Sequence, residues 1–192
     1  MSVSLILLEI KSGDVNGDAT VAGYSNQISV ESFTWGVKSD LKGLNKPSKG
    51  ENPKTPIEFK ELSLKKQFDS ASMGLLTMMN GDKQFDAVLR FIDPSTGTKS
   101  GSTVVKADAV LEVELKGCYI ESISLDINDS GKAVAVSESV TLSFNQEQRT
   151  SDSSLSSIDL SYRGYNQITR ARGAAMNVHI DPVVKGKPGP GR

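Results

Sequence analysis

The sequence predicts a mainly β domain carrying one short α-helix, and three observations lead there. Apolar and polar residues alternate with period two along most of the chain. Between Ala71 and Met79 the period changes to about 3.6, then returns to two. Clusters of Gly, Pro, Asn, Asp and Ser separate the alternating runs, as turns require.

Val3 to Ile10 reads as a first, mostly apolar strand. The turn-rich segment that follows holds DVNGDATV, which places Asp14, Asn16 and Asp18 at alternate positions of a calcium-loop pattern. Ala19 stands where that pattern needs glycine and Ser25 where it needs a bidentate glutamate, so a polar turn is expected. Gln27 to Val37 is the second strand. Ile28 and Val30 lie on one parity and Phe33, Trp35 and Val37 on the other, a slip that a bulge or a change of sheet near Glu31 and Ser32 would produce. With Phe33 and Trp35 as core anchors, Ser32 and Thr34 point outward.

Lys38 to Pro56 is a long polar loop punctuated by Gly43, Pro47, Gly50, Pro53 and Pro56, and loops of this length inside a domain are usually functional or disordered. Leu62, Leu64 and Phe68 then alternate with Ser63, Lys65 and Gln67. The helix follows. Asp69 or Ser70 can cap it by accepting from a free backbone N–H, and Asn80-Gly81 supplies a left-handed residue to end it. Ala71, Leu75, Met78 and Met79 form one apolar stripe broadened by Leu76, which makes Leu75 and Met79 the expected anchors. A helix this short is marginal alone, and Gly74 costs it roughly 1 kcal/mol against Ala, so packing must hold it. Phe85, Ala87, Leu89 and Phe91 resume the strand pattern.

A second polar loop, Asp93 to Lys106, precedes three expected strands. Ala109 to Lys116 alternates cleanly; Tyr119, Ile123, Leu125 and Ile127 form the next; Val134, Val136, Val140, Leu142 and Phe144 follow the turn Asn128-Asp129-Ser130-Gly131. Short turns between neighbours imply an antiparallel meander. Residues 1–149 thus read as one domain. Residues 150–192 read as an extension with short edge strands at Ile158 to Tyr162 and Met176 to Ile180, flexible from about residue 185.

Twenty-two basic against twenty-three acidic side chains give a formal charge of −1 and no basic block, so nucleic acid is not an expected partner. Cys118 is the only cysteine and His179 the only histidine, which leaves no intrachain disulfide, no Cys/His zinc site and no triad signature. Glu112 and Glu114 share a parity and read as a solvated face. Neither phosphate-binding glycine motif is present. The inventory supports binding or assembly rather than catalysis, with no metal or cofactor. The apolar run Leu5 to Leu8 lacks a basic residue before it and meets Glu9 after it, so it does not fit a signal peptide, and no span approaches the roughly eighteen apolar residues of a membrane helix. A soluble chain made in the cytoplasm is expected, with no membrane contact.

The order SFTWGV, long polar loop, LSLKKQFDSASMGLLTMMNGDKQFDAVLRF and VSESVTLSF resembles the haemolysin-coregulated protein (Hcp) family, over roughly Ser2 to Gln148. The resemblance implies a small antiparallel β-barrel of two sheets with the helix packed at its side. It implies that six copies close into a ring and that rings stack into a hollow tube. That tube sits inside a contractile sheath and is expelled behind a tip spike protein, uncleaved, with effectors in its lumen. By the same likeness Lys42, Leu44, Lys46 and Lys49 lie on a loop reaching the neighbouring ring, and Thr34, with Ser32, faces the lumen. Tail-tube proteins of phage or phage-like contractile particles are the nearest alternative.

Overall fold

A computed structural model describes residues 5–11, 15–39, 57–93, 98–100, 103–129, 134–144, 157–162, 165–166, 171–172 and 176–180. The alternating runs become strands β1 (Leu5–Ile10), β2 (Ile28–Val30), β3 (Ser32–Thr34), β4 (Val37–Ser39), β5 (Ile57–Phe59) and β6 (Leu62–Gln67), then helix α1 (Ala71–Asn80) and β7 (Phe85–Ile92). After these come β8 (Thr98–Ser100), β9 (Thr103–Lys106), β10 (Ala109–Asp129), β11 (Val134–Phe144), β12 (Ser157–Tyr162), β13 (Tyr165–Asn166), β14 (Ala171–Arg172) and β15 (Met176–Ile180).

Nine of the strands form one antiparallel sheet with the path β2-β1-β7-β10-β11-β6-β3. Strands β12 and β15 branch from β10, and the ribbons β4-β5, β8-β9 and β13-β14 stand apart. The slip of parity at Glu31 has its cause here. Strand β2 pairs with β1, whereas β3, one residue later, pairs with β6. The chain changes partner at Glu31, whose N–H donates to the Lys65 carbonyl at 2.8 Å.

Two of the three strands expected after residue 106 are one. Strand β10 runs unbroken through Gly117, where φ is 68° and the pairing with β7 slips between Leu115 and Cys118. Glycine takes that left-handed conformation without a Cβ clash, and the Gly117 N–H donates to Asp86 Oδ1 at 2.9 Å, so the chain bulges instead of turning back. Before the bulge β10 pairs with β7 on one edge and β12 on the other; beyond it the partner is β11. Strand β12 is therefore interior, flanked by β10 and β15, and not the edge strand its sequence suggested.

The main core joins Leu8, Ile28, Leu62, Leu64, Leu89, Leu115, Val140 and Leu142 to Ala71, Leu75 and Met78 of the helix. Full burial of each such large apolar side chain stabilises the fold by about 1.5–3 kcal/mol. A smaller cluster of Leu7, Ala19, Tyr24, Ile92 and Ala107 covers part of the sheet's other face. Gly74 has a packing reason: a Cβ there would lie 3.0 Å from Val15 Cγ2, so its absence lets the segment after β1 close against α1. Gly17 is tighter still, since a Cβ would come within 2.5 Å of the Ile28 Cα.

The helix departs from expectation at three points. Met79 is 37% exposed and Met78 6%, so Met78, with Leu75 at 1%, is the anchor of the last turn. Phe68, placed with the apolar parity of its strand, lies beyond the end of β6 and is exposed. Gly81 keeps a negative φ, and the left-handed residue is Asp82 at φ 46°. The Asp82 N–H donates to the Met79 carbonyl and the Lys83 N–H to that of Met78, which closes the helix end one residue later than the glycine suggests.

Candidate functional site

The outward side of β3, β6, β11 and the far half of β10 is a polar face built in register. Ser32, Lys65, Ser139 and Ser124 form one row across the four strands, and Thr34, Ser63, Thr141 and Ser122 form the next. A third row places Gln67, Ser137 and Asp126 side by side, with Gln67 Nε2 donating to Glu31 Oε1. Period-two alternation sends every second residue of each strand outward, and paired registers line the outward residues up. The Ser63 and Thr141 hydroxyls lie 3.4 Å apart. Such a face offers donors and acceptors everywhere and apolar grip nowhere.

Ser32 and Thr34 are exposed on this face, as their parity predicted, while Phe33 and Trp35 are half-buried and pack against the core. The Phe33 ring meets Phe91 of β7 at 5.0 Å between centroids. Lys42, Leu44, Lys46 and Lys49 lie outside the described residues. The chain enters and leaves their segment through the β4-β5 ribbon, where Lys38 pairs with Glu58.

Beneath the polar face lies a charged group that sequence reasoning passed over. Lys66 of β6 is fully buried; its Nζ donates to Glu138 Oε1 at 2.5 Å, Asp69 Oδ1 at 2.6 Å, the Gln67 carbonyl at 2.8 Å and Ser72 Oγ at 3.1 Å. Glu138 is its cross-strand partner on β11, and Ser72 belongs to the first turn of α1. Three elements are thus tied at one ammonium. The signal was present: Lys66 follows Leu62 and Leu64 on the inward parity of β6. Glu138 has the inward parity of Val140 and Leu142.

Asp69 also accepts from the Ala71 N–H at 3.0 Å, and so caps the helix. Ser70, the alternative, makes no side-chain cap; its hydroxyl donates instead to Asp18 Oδ1 at 2.5 Å and to the Asn16 carbonyl at 2.8 Å. Two carboxylates of the calcium-like segment and the helix entry are thereby accounted for differently: Asp18 anchors that segment to the helix N-terminus, where a negative charge is favoured. The Ser70 hydroxyl and N–H hold the Asp18 carboxyl below its ordinary pKa, and Lys66 adds to this, against a smaller opposing effect of burial.

On the face of β1, β7 and β10 away from the main core, Arg90 binds Glu9 Oε2 at 2.5 Å and Glu112 Oε2 at 2.7 Å, with its guanidinium over Tyr24. Burial opposes the charge, but the two carboxylates outweigh it and raise the Arg90 pKa. Lys11 pairs with Glu114 at 2.6 Å, so the two glutamates expected as a solvated face are ion-paired ones. Cys118 is buried, which pushes its thiol pKa up, with the Asp86 charge adding to the shift. His179 is exposed on β15 opposite Asp159. Among the described residues no group of three or more His, Cys, Asp or Glu is placed to hold a metal ion.

The family model described as "Type VI secretion system effector, Hcp" matches residues 8–150. The chain belongs to the Hcp family. Solved Hcp-family structures share the fold along nearly the whole chain. Hcp1 from Salmonella typhimurium is 17% identical with a TM-score of 0.63, over 94% of this chain and 95% of its own. A type VI secretion system effector from Yersinia pestis is 14% identical with a TM-score of 0.58, over 92% and 98%. The secreted protein Hcp3 from Pseudomonas aeruginosa is 11% identical with a TM-score of 0.55, over 94% and 99%. No curated protein matches the chain. At these identities the structures share a fold with this chain.

Proposed function

We propose that this Hcp-family chain is a tube subunit of a contractile type VI secretion machine. Six copies close into a ring, rings stack into a hollow tube, and the tube is expelled from the cell with effectors in its lumen. The observation that supports this best is the polar face. Three in-register rows spread over four strands, with hydroxyls in the centre, suit the wall of a channel that must hold proteins weakly and release them. Ser32 and Thr34 face the lumen in this reading, together with Ser63, Thr141 and Ser122.

A barrel in each subunit is supported by the two ends of the sheet path. Strands β2 and β3 stand at opposite ends of that path yet are separated in the chain by Glu31 alone. In this reading the segment with Lys42, Leu44, Lys46 and Lys49, which lies between β4 and β5 in the chain, makes the contact with the next ring of the stack. Free strand edges join copies within a ring. The sheath lies outside the tube and the spike protein at its tip. The chain starts in the cytoplasm and leaves as part of the expelled tube.

Electron microscopy and native mass measurement of the purified full chain test the assembly. Closed rings of six are expected, and a chain that stays monomeric at high concentration overturns the reading. Secretion is tested separately, by the appearance of the intact chain in culture medium only when the contractile apparatus is functional.

A further inference from the structure

The distal half of β10 and its partner β11 stay amphipathic beyond the last core residues among those described. Ser122, Ser124 and Asp126 point to the polar face, and Ile123, Leu125 and Ile127 point the other way. Ile123 sits opposite Val140 and packs on the core. Leu125 comes next, opposite Glu138 of the buried charged group, and is 54% exposed; Ile127, opposite Val136, is 65% exposed. Phe68, which follows β6 on the other side of β11 and whose N–H donates to the Val136 carbonyl at 2.9 Å, is 44% exposed. The apolar alternation continues for two rows after the core ends.

The same stretch has an open backbone edge. Strand β7 pairs with β10 no farther than Cys118, and among the described residues no strand lies on that edge from residue 119 to 129. A free edge selects an extended segment, and this one selects its alternation too: polar toward Ser124, apolar toward Leu125. Strand β3 has that pattern, with Ser32 and Thr34 exposed around half-buried Phe33, and only one of its edges is paired among the described residues. Two unlike surfaces on one chain, each lacking what the other has, are what a head-to-tail ring needs.

We infer that the apolar face of Leu125, Ile127 and Phe68 is covered by a second copy of this chain, as one side of the contact between neighbours in a ring. This rests on the ring reading above. The test is sedimentation of the full chain and of Ile127→Asp and Ile127→Val, with circular dichroism to confirm the fold. Ile127→Asp is expected to raise the concentration at which rings dissociate on the order of 100-fold, and Ile127→Val to leave it within about threefold. Rings formed equally by wild type and Ile127→Asp overturn this surface while leaving the ring; a monomeric wild type overturns both. If Ile127→Asp does not fold, Ile127→Cys labelled with a benzophenone maleimide reads the same contact in assembled protein, since Cys118 is buried. Cross-links between copies support the assignment, and cross-links confined to one copy overturn it.

Discussion

Lys66 and Glu138 face each other across β6 and β11 with Nζ 2.5 Å from Oε1, and neither side chain is more than 1% exposed. Removing one member strands the other's charge away from water, whereas removing both leaves an apolar gap that can be filled. Lys66→Met is therefore expected to destabilise the fold by about 3–5 kcal/mol, and Lys66→Met with Glu138→Leu to recover most of that loss. Urea unfolding of the two single variants and the double variant measures it. A double variant no better than Lys66→Met would show that Asp69 and Ser72, not Glu138, set the cost.

Asp18 contributes through its charged form. Its folded pKa lies below its ordinary value because Ser70 donates to the carboxylate, so the unfolded chain binds the proton more readily. The stability it adds is present above the unfolded pKa, near 3.8, and is lost as pH falls through the lower folded value. Asp18→Asn should thus be less stable than wild type at pH 7, with the gap closing below about pH 4. Unfolding at both pH values checks the sign; a gap that widens in acid would contradict it.

Gly117 sets where β10 leaves β7 for β11. With φ at 68°, any side chain adds strain there, and Gly117→Ala should cost about 1–2 kcal/mol in thermal or denaturant unfolding. An unchanged melting temperature would mean that the bulge relaxes to negative φ.

How far the sequence carries depends on what each feature needs. Ser32 and Thr34 were legible because parity alone fixes the side of a strand. The helix was legible from its stripe, but its end was not. Asn80-Gly81 offers a left-handed glycine, and the structure places that conformation at Asp82, where the bonds to Met78 and Met79 close the helix. Met78 and Met79 are both apolar and lie about 100° apart around the helix; Met78 falls close to Ala71 in direction and is buried, while Met79 stands at the margin of the stripe and is exposed. Lys66 and Glu138 are seventy-two residues apart; each alone reads as a surface charge, and only the β6-β11 register brings them together. The polar rows have the same origin, since SES, TLS and ESIS become one face only after pairing.

The segment between β4 and β5 is tested by deletion. Lys38 and Glu58 pair in the ribbon, which follows β3 and precedes β6 in the chain. Deleting Gly43 to Asn52 should leave folded rings and impair their stacking, which electron microscopy of wild type and variant would distinguish. Loss of the folded domain would make the segment structural.

Thr34 ends the outward polar row that continues through Ser63, Thr141 and Ser122, the row proposed above to line the lumen. It is exposed and its outward side packs against nothing in the core, so Thr34→Gln should leave folding and ring formation unchanged. The longer amide covers neighbouring hydroxyls and trades their bonds for its own. A net change of one hydrogen bond, about 0.5–1.5 kcal/mol, shifts cargo retention by roughly two- to tenfold per subunit contact. Co-purification of effectors with wild-type and variant rings measures it. Equal cargo on both would take Thr34 out of the lumen wall, and lost rings would place it at a contact between copies.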